Sequence, residues 1–227
     1  LCAWQSQEGA AVQAYLDKRR IRRGIAVRFG MGAAPDSWDA LLTAMTHKGY
    51  TKQELISAGL AVNGKNGRLY DKFRNRLMLP VIDVRGDVVG FGSRVLDKSE
   101  PKYMNTPETL TYSKRRILYG MNLAKKSKRS NIILCEGNLD VVTLHQAGFD
   151  NAVASMGTAL TQEQLRLLSR YTKELVLCYD NDNAGQQATR RALELLNNSE
   201  FSVKVLQLPR RLMDGGVHQA GCRRLHQ

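Results

Sequence analysis

Short apolar runs alternate with helical patterns from residue 131 to residue 208, and no other feature of the chain constrains its fold as strongly. The predicted elements are strand 131–135, helix 139–147, strand 152–155, a helix from 161, strand 175–179, helix 184–197 and strand 203–208. Connections this short return each strand beside its predecessors in the same direction. The predicted fold is therefore α/β, with a parallel sheet flanked by helices.

Residues 1–129 have a different pattern, in which helices and strands do not alternate regularly. The predicted elements are amphipathic helices at 10–20, 38–45 and 50–59, a β-hairpin across 76–91 with Gly86 in its turn, and an ordered loop at 97–112. A short basic linker at 125–130 precedes the regular alternation. We therefore predict a basic mixed α+β subdomain at 1–129, a parallel-sheet domain at 130–209 and a separate tail at 210–227.

The net charge of +13 is distributed unevenly along the 227 residues. Residues 64–130 contain 16 Lys and Arg against 6 Asp and Glu, whereas residues 131–209 contain 6 against 9. A basic region followed by a mildly acidic one fits a polyanion-binding surface next to a cation-binding site. A solvated basic face with no specific partner is the alternative interpretation.

The sequence does not favour a membrane-spanning, secreted or zinc-binding protein. No apolar run approaches the ~20 residues of a membrane helix, and the N-terminus lacks the pattern of a signal peptide. The four cysteines are far apart and none forms a C-x-x-C pair: Cys2, Cys135, Cys178 and Cys222. We interpret them as reduced thiols of a cytoplasmic protein, without a disulfide framework or a zinc site.

Acidic residues follow two of the predicted strands at the point where each strand ends. Glu136 ends the first strand and precedes Asp140, while Asp180 ends the third strand and precedes Asp182. Ligands of open parallel sheets bind beyond the carboxyl ends of the strands, where the strand order reverses. A single Asp in this place also serves as a helix cap. Two such clusters on separate strands favour a site for a hard cation such as Mg²⁺.

Several motifs of this chain resemble those of a known family. Glu136–Asp140 (E-G-N-L-D) and Asp180–Gly185 (D-N-D-N-A-G) resemble the E-G-x-x-D and D-x-D-x-A-G motifs of the TOPRIM fold. Five other segments resemble the catalytic core of the bacterial DnaG-type primases: Ala14–Arg20, Tyr70–Arg76, Gly90–Arg94, Pro101–Glu108 and Leu118–Gly120. The resemblance runs in order from residue 10 to residue 209.

The resemblance implies a nucleotidyltransferase that synthesises short RNA primers for DNA replication. Its cofactor would be Mg²⁺ or Mn²⁺, held by Asp180 and Asp182. Glu136 would be either a third metal ligand or a general base. Asp140 has two open interpretations, since it would belong to the same site or stabilise the N-terminus of its own helix.

The resemblance also implies contacts with phosphate groups. Six residues are the candidates for binding nucleotide or nucleic acid: Arg94, Lys102, Asn105, Lys114, Arg74 and Arg76. The first four would lie on the nucleotide or the nascent RNA–DNA hybrid, and the last two would be template-side or structural. Tyr103 would stack on a base or pack against the hairpin. We expect the three acids at one edge of the sheet to face a groove lined by Arg94, Lys102 and Lys114.

The implied partners are a single-stranded DNA template, ribonucleoside triphosphates and the RNA–DNA hybrid, with no membrane. Primases of this family also carry a zinc module and a module that docks on the replicative helicase, and we expect this chain to lack both. The alternative functions are a catalytically inactive fragment that binds single-stranded nucleic acid, or another TOPRIM enzyme such as a nuclease.

The end of the chain departs from the family pattern. A third acidic motif is expected after the fourth strand, but Asp214 is the only acid in residues 210–227. We therefore predict an aberrant or disordered tail and weakened catalysis. One permitted codon choice for residues 216–227, shifted by one base, encodes an Asp-rich segment, so a frameshifted reading would explain the tail.

Overall fold

The computed structural model describes residues 7–206, which divide into two compact units. Residues 7–81 and 88–113 form the first unit, and residues 82–87 and 114–206 form the second. The tail predicted at 210–227 lies outside the described residues, as do the last two residues of the fourth predicted strand. Within the described part of the chain, no helix is both long and apolar enough to cross a membrane.

The first unit is a mixed α+β structure built on an antiparallel sheet. Its elements are α1 Gln7–Lys18, α2 Arg23–Arg28, β1 Gly32–Ala34, α3 Ala40–His47, α4 Lys52–Ser57, β2 Ala61–Asn63, β3 Leu69–Asp71, β4 Arg76–Ile82, β5 Val88–Val95 and β6 Tyr103–Asn105. The main sheet has the strand order β1-β4-β5-β6, and β2 pairs with β3 in a separate sheet. The three predicted helices are confirmed as α1, α3 and α4, each with ends shifted by two or three residues.

The predicted hairpin is confirmed, because β4 and β5 are neighbours joined by a tight turn. Asp83 fixes this turn, since its Oδ1 accepts the backbone N–H groups of Arg85, Gly86 and Asp87. Gly86 has a φ of 106°, a conformation that glycine adopts at no steric cost.

The prediction of a loop across 97–112 is wrong in one part, because β6 lies inside it and pairs antiparallel with β5. The backbone of β6 is ordered by this pairing rather than by the alternation of its own side chains. Three residues are too few to produce a recognisable alternation.

The second unit is the predicted α/β layer structure. Its elements are α5 Met121–Ala124, β7 Asn131–Cys135, α6 Asn138–Gln146, β8 Ala152–Ala154, α7 Gln162–Leu168, β9 Glu174–Cys178, α8 Asn183–Leu196 and β10 Ser202–Val205. The strand order is β10-β9-β7-β8, and all three pairings are parallel. The chain moves from β7 to β8 on one side and then crosses to β9 on the other. The strand order therefore reverses between β7 and β9, which is where such sheets bind ligands.

The core of the second unit also includes residues that precede the sheet. Leu118, Met121 and Ala124 are buried with the apolar side chains of the strands and of α7 and α8. Lys125 extends this packing, since its Nζ donates to the carbonyl of Val84 in the same unit. Residues 114–129 thus belong to the second compact unit, whereas the sequence predicts them in the preceding subdomain. The predicted domain boundary after residue 129 stays a prediction.

A buried glutamine fixes the segment that enters this unit. Gln164 is fully buried, and its Nε2 donates to the carbonyls of Lys114 at 2.9 Å and Ile117 at 3.0 Å. Its Oε1 accepts the backbone N–H of Thr161 at 3.1 Å, which completes a capping box at the start of α7. One side chain thereby satisfies three partly buried backbone groups.

We expect Gln164→Leu to lower the free energy of unfolding by about 2–3 kcal/mol, because it leaves those backbone groups without partners. Gln162→Leu is the matched control, since Gln162 is exposed in the first turn of the same helix. The control should change stability by no more than about 0.5 kcal/mol. Urea denaturation of both variants measures the difference, and equal losses would contradict this role of Gln164.

Candidate active site

Two acidic residues lie at the point where the strand order of the parallel sheet reverses. Cys135 and Cys178, the last residues of β7 and β9, are direct partners in the register. Glu136 follows the first and Asp180 comes two residues after the second, so both acids extend from the same edge of the sheet. The Asp180 carboxylate is near enough to Glu136 for its charge to raise the pKa of the Glu136 carboxyl group. The structure thus brings together two of the residues that the sequence predicts for one site.

The Glu136 carboxylate is short of partners for its charge. Burial raises its pKa above the ordinary value, and the nearby charges of Asp180 and Asp182 raise it further. Its Oε2 is buried and accepts no hydrogen bond within the described part of the chain. An anionic oxygen in this state is stabilised by a proton or by a cation.

Asp180 and Asp182 differ in their surroundings. Partial burial raises the pKa of Asp180, and the charge of Asp182 adds to this effect. Asp182 is the N-cap of α8, and its Oδ1 accepts the backbone N–H of Gly185 at 2.8 Å. One oxygen of Asp182 is therefore engaged in ending the turn, whereas Asp180 is exposed at its start.

Gly185 sets the shape of this turn. A Cβ atom at residue 185 would lie 1.9 Å from the carbonyl oxygen of Asp180 and 2.6 Å from its carbonyl carbon. Such distances are far below van der Waals contact, so the turn exists only with glycine at this position. The spacing of Asp180, Asp182 and Gly185 in the sequence is therefore a geometric requirement of the site.

Asp140 has a contact that matches its helix-stabilising interpretation. Its Oδ2 accepts the backbone N–H of Gly137 at 3.1 Å, across the first turn of α6. A negative charge in the first turn also interacts favourably with the helix dipole. The assignment of Asp140 to the metal site stays a prediction.

The acids of this site could supply some, but not all, of the ligands of a metal cation. Among residues 7–206, no three His, Cys, Asp or Glu side chains lie close enough together to complete a metal site by themselves. Mg²⁺ does not require such a set, since it retains several waters and is commonly held by one or two carboxylates together with substrate phosphates. The unpartnered oxygen of Glu136 and the raised pKa of Asp180 fit an ion of this kind.

Two clefts of the second unit open beside these acids, on the two sides of α8. One, of about 180 Å³, is lined by Glu136, Ser155, Leu160 and Arg191 among others. The other, of about 300 Å³, is lined by Asp180, Arg190 and Val205 among others. Each cleft pairs a site carboxylate with an arginine of α8, which is suitable for an anionic ligand carrying its own cation.

Three of the predicted nucleotide-binding residues lie together in the first unit. Arg94 of β5 and Tyr103 of β6 are direct partners in the register, and the Arg94 guanidinium lies 4.8 Å from the centroid of the Tyr103 ring. The Lys102 Nζ lies 5.9 Å from the same ring. Asn105 stands opposite Gly92 two residues along β6. The pairing of β5 with β6 therefore places Arg94 and Asn105 in one sheet, and Lys102 directly precedes β6.

The two other arginines predicted to bind nucleic acid, Arg76 and Arg74, contact protein groups in this unit. Arg76 is buried, and its Nη2 donates to the carbonyl of Pro101 at 2.9 Å. Burial also lowers the pKa of Arg76, which favours the structural interpretation of this residue. The Arg74 guanidinium lies 4.1 Å from the Trp38 ring and 5.0 Å from the Tyr70 ring.

Lys114 and the three acids belong to the second unit, whereas the other predicted basic residues belong to the first. The carbonyl of Lys114 is fixed by Gln164, as described above. The predicted groove between acids and basic residues stays a prediction.

Comparison with known proteins identifies the family. The model of the DNA primase catalytic core, N-terminal domain, matches residues 2–125, and a Toprim-like model matches residues 133–215. The first match alone covers more than half of the chain. The chain belongs to the DNA primase catalytic-core family.

Individual members of the family are similar over most of this chain. A DNA primase of Clostridium acetobutylicum is 49% identical over 196 residues, which cover 86% of this chain and 33% of that protein. A crystal structure of a DNA primase domain from Pseudomonas aeruginosa matches with a TM-score of 0.87 at 38% identity, covering 99% of this chain and 74% of that one. A DnaG primase catalytic domain bound to ssDNA matches with a TM-score of 0.85 at 36% identity, covering 97% and 76%. The chain spans about a third of the length of the curated relatives it matches.

Three contacts are absent from the sequence-based predictions, two of them in the first unit and one in the second. Trp38 precedes α3, is 59% exposed and covers the Arg74 guanidinium, whereas the sequence predicts only a helix there. The Tyr15 hydroxyl accepts a hydrogen bond from Arg94, whereas the sequence indicates only a motif around Tyr15. Arg191 lines the cleft beside Glu136, whereas the sequence predicts only a helix there. Nothing in the sequence signals the contacts of Trp38 or Tyr15, because each contact joins residues far apart in the chain.

Proposed function

We propose that this chain is the RNA-polymerising core of a bacterial-type primase. It would copy a single-stranded DNA template into a short RNA, using ribonucleoside triphosphates. The observation that carries the proposal is the pair Glu136 and Asp180 at the reversal of strand order, with an unpartnered anionic oxygen on Glu136. Relatives named DNA primase support it, as does the related catalytic domain that binds ssDNA.

The acids would hold Mg²⁺ or Mn²⁺, with Glu136 and Asp180 as the main ligands and Asp182 contributing its remaining oxygen. A bound ion of this kind supplies stabilisation of the charge that develops on the phosphate and on the attacking and leaving oxygens. Glu136 has a second possible role as general base. The raised pKa of its carboxyl group brings it closer to the working pH, where a base is most effective.

The basic residues would bind the phosphate groups of the substrates. Arg94 of β5 pairs with Tyr103, which Lys102 directly precedes, and Lys114 is the residue at which the chain passes into the second unit. Charge-assisted hydrogen bonds from such residues hold a polyphosphate in a fixed position. Arg74, with Trp38 against it, would contact the template, because arginine and exposed aromatic rings together bind single strands by charge and stacking.

The remaining parts of the proposal concern the whole protein. The partners of the whole protein would be the template, ribonucleoside triphosphates, the RNA–DNA hybrid and the replicative helicase. The site of action would be the cytoplasmic replication machinery at the nucleoid.

Primer synthesis by the 227-residue chain tests the proposal. The chain is incubated with a single-stranded DNA template, labelled ribonucleoside triphosphates and Mg²⁺ or Mn²⁺. We expect RNA products that require the template and the metal and that disappear when EDTA is added. Cleavage of DNA without triphosphates would indicate a nuclease instead. DNA binding with no RNA product under any metal condition would indicate an inactive binding fragment.

A further inference from the structure

Three cations of the first unit lie against two tyrosine rings. The Arg94 guanidinium is 4.8 Å from the centroid of the Tyr103 ring and 5.5 Å from that of the Tyr15 ring. Arg19 lies 5.6 Å from the centroid of Tyr15, and the Lys102 Nζ lies 5.9 Å from that of Tyr103. Tyrosine rings attract cations through their electron-rich faces without neutralising the charge. The cluster of Arg19, Arg94 and Lys102 therefore keeps its positive charge.

Carboxylates do not compensate this charge within the described residues. None of the three cations forms an ion pair there. Glu100 is the nearest acid in sequence to Lys102, and its carboxylate accepts the backbone N–H of Lys102 at 2.8 Å. Cations held together in this way attract a ligand of dense negative charge, and phosphate is the group that suits arginine geometrically.

Tyr15 contacts Arg94 through its hydroxyl group as well as through its ring. The Arg94 Nε donates a hydrogen bond to the Tyr15 hydroxyl, although the two residues are 79 positions apart, on β5 and α1. The Nη1 of Arg94 is buried and has no partner in the described part of the chain. With Nε bonded and Nη1 buried, Nη2 is the nitrogen left to meet a phosphate oxygen.

We propose that Tyr15 is a positioning residue for Arg94 and fixes the guanidinium in the orientation that binds a phosphate group. The inference rests on the proposed function, since the phosphate belongs either to the nucleotide or to the nucleic acid. A free arginine side chain loses rotamer entropy when it is fixed. Ordering Arg94 before the ligand arrives removes part of that cost from binding.

The test compares Tyr15→Phe, which keeps the ring and removes the hydroxyl, with Tyr50→Phe as the matched control. Tyr50 is 49% exposed in the same unit, and within residues 7–206 its hydroxyl makes no hydrogen bond. The dissociation constants for ATP with Mg²⁺ and for a single-stranded oligothymidylate are measured on the whole chain. The same substitution is then made in an Arg94→Lys background. Thermal unfolding of every variant shows that each remains folded.

We expect Tyr15→Phe to raise the dissociation constant of one or both ligands about fivefold, which is the effect of one lost hydrogen bond. Tyr50→Phe should change neither dissociation constant. In the Arg94→Lys background, adding Tyr15→Phe should lower the affinity by less than about twofold, because the two residues act as a unit. If only ATP binding is weakened, the phosphate bound by Arg94 belongs to the nucleotide. If only oligonucleotide binding is weakened, it belongs to the template.

Two outcomes overturn the inference. In the first, Tyr15→Phe matches its control while Arg94→Lys weakens binding; in the second, the losses of affinity caused by Tyr15→Phe and Arg94→Lys add in full. Neither outcome affects the proposed function, which is decided by primer synthesis. Absence of binding of both ligands to the unsubstituted chain would count against the inference and the proposed function together.

Discussion

Replacing Asp180 with Asn is expected to reduce primer synthesis roughly a thousandfold, equivalent to about 4 kcal/mol of lost transition-state stabilisation. The substitution keeps the size and shape of the side chain and removes one of the two charges that meet at the reversal of strand order. Rates of ribonucleotide incorporation with Mg²⁺ measure the effect. Glu194→Gln is the control, since Glu194 is an exposed carboxylate further along α8, and its rate should be unchanged. Equal rates for Asp180→Asn and the unsubstituted chain would remove Asp180 from the mechanism.

The same substitution should raise stability when no metal is added. Burial and neighbouring carboxylates raise the pKa values of Glu136 and Asp180, so the folded protein is destabilised once both groups are ionised. This destabilisation is absent below about pH 4, the ordinary carboxyl pKa, and grows as the pH rises through the raised values. At neutral pH we expect Asp180→Asn to raise Tm by about 2 °C, a small effect because solvent screens the exposed Asp180. The gain should vanish in acid, whereas Glu194→Gln should change Tm at neither pH.

Loss of activity together with a gain in stability separates a functional carboxylate from a structural one. Added Mg²⁺ should raise the Tm of the unsubstituted chain more than that of Asp180→Asn, because binding to the folded state alone stabilises it. A fall in stability at neutral pH in Asp180→Asn would show instead that the Asp180 carboxylate stabilises the fold.

The half of the chain in which strands and helices alternate, residues 131–208, is predictable from sequence. Its parallel strands are buried on both faces, so each strand is a continuous apolar run. β7, β8 and β9 are each found within one residue of the predicted ends. The segment 114–129 was harder to place, because its exposed Lys and Arg resemble the basic region while its buried side chains belong to the core of the sheet. β6 shows the same limit, since three residues between two prolines carry no pattern and are ordered by pairing with β5.

The sequence predicts at which edge of the sheet the candidate site lies, but not the contacts made there. Topology brings Glu136 and Asp180 together, and topology follows from the order of strands and helices. The individual contacts do not follow from it. The unpartnered oxygen of Glu136 and the burial of Arg76 depend on packing between residues far apart in the chain, which no local pattern records.

Gly185→Ala is expected to destabilise the protein by about 3 kcal/mol and to abolish primer synthesis. The new Cβ would lie 1.9 Å from the Asp180 carbonyl oxygen, so either the start of α8 or the end of the preceding loop must move. Either movement separates the Asp182 carboxylate from its hydrogen bond to the residue 185 N–H and displaces Asp180 from Glu136. Urea denaturation and ribonucleotide incorporation measure the two effects.

Gly24→Ala is the matched control for this substitution, because Gly24 lies inside helix α2 and a Cβ there would meet nothing within 4 Å. Alanine in an unobstructed helical position should stabilise the protein by about 0.5–1 kcal/mol and leave synthesis unchanged. Both substitutions replace glycine with alanine near the start of a helix. If Gly185→Ala lowers stability while Gly24→Ala raises it, the loss at residue 185 comes from the close approach of the Asp180 carbonyl and not from helix propensity. Retention of synthesis by Gly185→Ala would mean that the turn tolerates a side chain, and that the geometry linking Asp180 to Asp182 is not required for the reaction.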